Sequence, residues 1–135
     1  MPARYMARIA DGMLTEALAT GGAVQVKGPK WCGKTATSLQ QAASVVYLQD
    51  PDRSASYLAL ADAKPSALLE GRTPRLIDEW QMAPQLWDAV RFAVDLRGEP
   101  GQFVLTGSST PTVGGAHSGV GRIAPMVMRT MTLFE

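Results

Sequence analysis

A chain of 135 residues with 46% hydrophobic and 19% charged residues has the size and composition of one globular domain around a single core, not of a disordered segment. A formal net charge of +1 leaves no bulk electrostatic case for nucleic acid or an acidic membrane face, and one cysteine with one histidine excludes an intrachain disulfide and argues against a conventional zinc site. No apolar run approaches the roughly 18 residues of a membrane helix, and the start, MPARYMARIADGML, has neither a continuous apolar stretch nor a small-residue cleavage site, so a cytoplasmic setting without a membrane partner is expected.

The predicted elements alternate along the chain. Residues 23–27 (AVQVK) sit between Gly21-Gly22 and Gly28-Pro29, which predicts a strand ending in a turn. The helix-compatible run 35–43 (TATSLQQAA) follows, and 44–49 (SVVYLQ) predicts a second strand closed by Asp50-Pro51-Asp52. Residues 54–70 suit one or two short helices with a break at Pro65, and 75–78 (RLID) form a short apolar run after Pro74. The segment PQLWDAVRFAVDLRG puts Leu86, Trp87, Val90, Ala93 and Val94 on one helical face, with Pro84 at its first turn and Gly98 at its end. Residues 102–106 (QFVLT) predict a strand, 107–121 a functional or disordered loop rich in Gly, Ser and Thr, and 125–134 a last strand. Strands alternating with helical segments imply a parallel sheet covered on both faces, an α/β arrangement of three layers.

Chemistry concentrates in three places, each at the end of a predicted strand. Gly28, Gly33, Lys34 and Thr35 fit G-x-x-x-x-G-K-[ST], with Pro29, Lys30, Trp31 and Cys32 at the variable positions. The glycines let backbone N–H groups converge on phosphate oxygens, and the following helix adds its positive end. Lys34 can reach the β- and γ-phosphates, and the Thr35 hydroxyl suits Mg²⁺. Trp31 either covers the nucleotide or packs outward. Cys32 stands beside the helix start, where a thiolate is favoured, though a small residue also simply fits a tight loop.

Downstream, Leu76-Ile77-Asp78-Glu79 ends an apolar run with two acids. After a phosphate loop, Asp78 suits Mg²⁺ and Glu79 suits a general base that activates water. Adjacent strand residues point to opposite faces, so the pair can cooperate only if the backbone has already turned, as Trp80, Gln81 and Pro84 suggest. The run Gln102–Ser108 (QFVLTGS) closes with Thr106, Gly107 and Ser108, and the two hydroxyls could orient water or touch the γ-phosphate, or could be ordinary turn chemistry. In GGAHSGVGR, Arg122 could stabilise transition-state charge in cis or from a neighbouring subunit, or solubilise a loop. His117 pairs with no recognisable nucleophile signature.

Taken in order, VQVKGPKWCGKT, PRLIDEWQMAPQLWDAVR, GQFVLTGSSTP, HSGVGRI and MRTMTLFE resemble the prokaryotic AAA-type ATPase family, whose members join an amino-terminal ATPase core to a carboxyl-terminal domain of unknown function. The resemblance implies a P-loop NTPase fold with a five-stranded sheet in the order 5-1-4-3-2. It also implies Lys34 and Thr35 as Walker A residues, Asp78 and Glu79 as the Walker B pair, Thr106 or Ser108 as sensor, and Arg122 as the arginine-finger candidate of a homo-oligomer. ATP and Mg²⁺ are the implied cofactors. Members of the family continue past the TLFE segment into a helical lid, whereas this sequence stops at Glu135, so 1–135 is expected to be a single ATPase core truncated before the lid.

Two functions follow. The first is Mg²⁺-dependent ATP hydrolysis with Glu79 activating water. The alternative is a nucleotide-binding module with little or no turnover. A small-molecule kinase would need an acceptor site and an arginine-rich lid, and Pro125-Met126-Val127 follows Arg122 too closely to leave room for one.

Overall fold

Each apolar run becomes a parallel strand in the computed structural model, which describes residues 2–28, 34–108 and 123–127 and the side chains of 11–28, 34–107 and 123–127. The strands are β1 (Ala23–Gly28), β2 (Ser44–Tyr47), β3 (Arg75–Asp78), β4 (Phe103–Ser108) and β5 (Ile123–Val127). They form one sheet in the order β2-β3-β4-β1-β5, all parallel, which read from the other edge is 5-1-4-3-2. Parallel neighbours need crossover connections, and helices supply them. These are α2 (Lys34–Gln41), α3 (Ser54–Ala63), α4 (Pro65–Leu68) and α5 (Leu86–Arg97), with α1 (Pro2–Thr20) preceding the first strand.

The order of the strands decides which face each helix covers. The chain leaves β1 for the β2 edge, then returns strand by strand through β3 to β4. Right-handed crossovers therefore put α2 on one face and α3, α4 and α5 on the other. Two apolar layers follow. Val24, Val26, Leu76, Val104 and Met126 pack with Leu14 and Leu18 of α1. Ile77, Phe103, Leu105 and Ile123 pack with Ala61, Leu68, Leu86, Val90 and Val94 of α3, α4 and α5. Each fully buried Leu, Val or Phe contributes about 1.5–3 kcal/mol of transfer free energy.

Helix α5 keeps the predicted apolar face. Leu86, Val90 and Val94 are buried, and Trp87 and Ala93 pack beside them. It stops where Gly98 adopts φ 67° and donates its N–H to the Val94 carbonyl at 2.9 Å, a left-handed cap that glycine takes without strain. The break between α3 and α4 falls at Pro65, as expected. Arg75 ties β3 to the helical layer by donating Nε to the Leu68 carbonyl at 2.7 Å, and its burial lowers the guanidinium pKa. Pro125 lacks an N–H, and it is tolerated because β5 is the edge of the sheet among the described residues, paired there with β1 alone.

Several boundaries move. The second strand stops at Tyr47 and the first crossover helix at Gln41. The last strand starts earlier, at Ile123, and residues 128–134 lie outside the described set. Gly107 and Ser108 belong to β4, not to a loop, because they pair with Lys27 and Gly28 of β1. Parallel pairing overrides their turn-like composition. Helix α1 had no strong sequence signal, since within its described side chains the buried contacts come from Leu14 and Leu18 with Ala17 beside them.

Candidate active site

Period-two alternation decides what meets at the carboxyl ends of the central strands. Leu76 and Val104 face the α1 and α2 layer, so Asp78 and Thr106, two residues further on, face it too. Strands β3 and β4 pair in the register Asp78↔Thr106, and the Thr106 hydroxyl donates to Asp78 Oδ1 at 2.8 Å. The Thr35 hydroxyl, in the first turn of α2, donates to the same oxygen at 2.8 Å. Three elements distant in sequence thus converge on one carboxylate that is 8% exposed.

A carboxylate taken out of water needs such donors, because a buried charge without hydrogen bonds is strongly unfavourable. Thr106 itself is fully buried. Thr106→Val keeps the β-branched shape and removes the donor. It is expected to destabilise the fold by about 2 kcal/mol, the scale of a hydrogen bond to a charged group. Urea unfolding measures this, and a midpoint equal to that of the parent would mean the hydroxyl does not grip Asp78.

Lys34, the first residue of α2, is also buried. Gly28 ends β1, and the sheet register sets it opposite the backbone of Ser108. The start and the end of the GPKWCGKT segment therefore sit at the tips of β1 and α2. Pro29, Lys30, Trp31, Cys32 and Gly33 between them lie outside the described residues, as do His117 and Arg122.

Glu79 follows Asp78 with φ 60° and ψ 49°, the one non-glycine residue with positive φ among those described. A left-handed conformation at a non-glycine residue costs about 1–2 kcal/mol, so it persists only where its surroundings hold it. Here the chain turns straight into a short 3₁₀ segment, Trp80–Met82, with the Met82 N–H donating to the Glu79 carbonyl at 3.0 Å. The backbone turn that the two acids require is thus present. Trp80 anchors it, 5% exposed and tilted against Trp87 at a centroid distance of 5.1 Å.

Sequence reasoning used Gln81 as a sign of the turn and gave it no part in the chemistry. Its carboxamide Nε2 donates to Glu79 Oε1 at 2.6 Å. The signal available in the sequence was a polar side chain between Trp80 and Met82, two residues past the second acid, which separates weakly from turn composition.

The site has the donors that a hard divalent cation uses. Asp78 and Thr35 bring a carboxylate and a hydroxyl within hydrogen-bond distance, and a hydroxyl can donate its proton while offering a lone pair. Among the described residues no group of three or more His, Cys, Asp or Glu could hold a metal.

A five-stranded parallel sheet in this order, flanked by helices, is an α/β P-loop NTPase fold. A family model described as AAA domain matches residues 20–135, and the chain belongs to that family of nucleotide-binding domains. No curated protein matches it. Among the described residues no helix is long and apolar enough to cross a membrane.

Proposed function

We propose that this AAA domain binds ATP with Mg²⁺ and hydrolyses its γ-phosphate. One observation carries the reading. The Asp78 carboxylate is gripped by the first-turn hydroxyl of the helix behind the GPKWCGKT segment, and a second carboxylate follows it on a left-handed turn. In this reading the backbone N–H groups of 28–35 and the Lys34 ammonium hold the β- and γ-phosphates. Thr35 and Asp78 would hold Mg²⁺, which when bound neutralises charge on the phosphate oxygens.

Glu79 takes a proton from water as the water oxygen bonds to the γ-phosphorus. The bond from that phosphorus to the β–γ bridging oxygen breaks, and its electron pair leaves on ADP. Ser108, opposite Gly28, is a better candidate than Thr106 to meet the γ-phosphate or the water, because the Thr106 hydroxyl is already donated to Asp78. Arg122 would add positive charge in cis or from a second copy of the chain, and residues 1–135 act as one ATPase core.

Phosphate release and molecular mass, measured with and without Mg²⁺, test the proposal. Release that requires Mg²⁺ is expected, with assembly above the 14.4 kDa monomer on ATP addition where Arg122 acts in trans. A monomer that binds ATP and releases no phosphate would replace it with a binding module that does not turn over.

A further inference from the structure

We infer that Gln81, seated on Gly107, is a positioning residue that aims the Glu79 carboxylate. The inference rests on Glu79 being the base of the proposed hydrolysis and adds what holds that base in place.

Three observations meet at this contact. The first is the 2.6 Å bond from Gln81 Nε2 to Glu79 Oε1. A carboxylate only accepts, so the amide must turn its N–H toward Glu79, and the opposite orientation would set two acceptors against each other. The second is that Gln81 Oε1 is buried and has no hydrogen-bond partner among the described residues, so the side chain gives up water on one atom to make the contact with the other. The third is the seat itself. A Cβ built on Gly107 would lie 2.3 Å from Gln81 Oε1 and 3.3 Å from Trp80 Cδ1, so a side chain there would push the carboxamide aside.

Gly107 stands between Thr106, which grips Asp78, and Ser108, which faces Gly28 across the sheet. One strand end therefore sets both acids. Thr106 acts on Asp78 directly, and Gly107 acts on Glu79 through Gln81. Engaging Oε1 of Glu79 restrains a side chain that otherwise has several rotamers, and in this proposal its second oxygen takes the proton from water.

Gln81→Ala is expected to lower kcat for ATP at least tenfold while KM and the ATP dissociation constant stay within twofold. The nucleotide contacts would be intact and only the base misaimed. Gly107→Ala is expected to lower kcat in the same way by displacing the carboxamide. The double variant should be no worse than Gln81→Ala alone, because the added methyl then has no carboxamide to displace. Turnover equal to or above the parent's in Gln81→Ala overturns the inference, and so does additivity of the two substitutions. A spectroscopic readout is independent of turnover. The side-chain amide resonances of Gln81, identified by their absence in Gln81→Ala, should move in Glu79→Ala, and amide resonances unmoved there show that the contact is not made. The two readings fail separately. Full turnover in Glu79→Gln removes Glu79 from the reaction, whereas loss there with full turnover in Gln81→Ala removes Gln81 alone.

Discussion

Lys34→Ala is expected to weaken ATP binding by roughly a hundredfold or more, on the scale of about 2–5 kcal/mol for truncating one partner of a buried charge pair. Lys34 opens α2 and is only 6% exposed. It follows Gly33 in G-x-x-x-x-G-K-[ST], the position from which the pattern sends an ammonium to phosphate. Alanine is a good helix former, so α2 itself should persist. Titration of a fluorescent ATP analogue, with circular dichroism as the control on folding, measures the effect. A variant that binds ATP like the parent would mean that GPKWCGKT is not the phosphate site. The other assignments at the site would then lose their reference point.

Glu79→Gln is expected to separate binding from chemistry. The amide keeps the size of the side chain and a hydrogen-bonding oxygen, but it cannot take a proton from water. Turnover should fall about 10²–10⁴-fold, the usual contribution of a general base. ATP affinity should be unchanged or improved, because a negative charge near the phosphates has gone. Single-turnover phosphate release together with equilibrium binding gives both numbers. Unchanged release would take Glu79 out of the mechanism and leave Asp78 with the metal-binding part alone.

Much of the fold was legible because strand and helix signals here are local. β3 is legible at its observed bounds, since Arg75-Leu76-Ile77-Asp78 lies between Pro74 and a turn. The α5 face was legible because Leu86, Val90 and Val94 recur at helical spacing, and Gly98 marks the end by its left-handed cap. The end of β4 was misread because Gly107 and Ser108 carry turn composition, and only their pairing with Lys27 and Gly28 makes them a strand. Helix α1 was missed because a helix can be held by a few buried side chains, and two leucines four residues apart make little pattern by themselves.

The candidate site divides along the same line. Local sequence determined the residue types that meet phosphate and cation, because Gly28, Gly33, Lys34 and Thr35 sit at a spacing that a single turn and helix start can use. It also determined that an acid ends the third strand and a second acid follows it. Which partner each acid has depends on contacts between segments far apart in the chain. Parallel pairing of β3 with β4 put Thr106 opposite Asp78, and α2 brought Thr35 to the same oxygen across 43 positions of sequence. The left-handed turn at Glu79 and the space over Gly107 then gave Gln81 its place beside the second acid. Spacing along the chain encodes what one loop can bind, whereas the partner of a buried carboxylate is set by strand register and helix packing, and these exist only once the sheet has assembled.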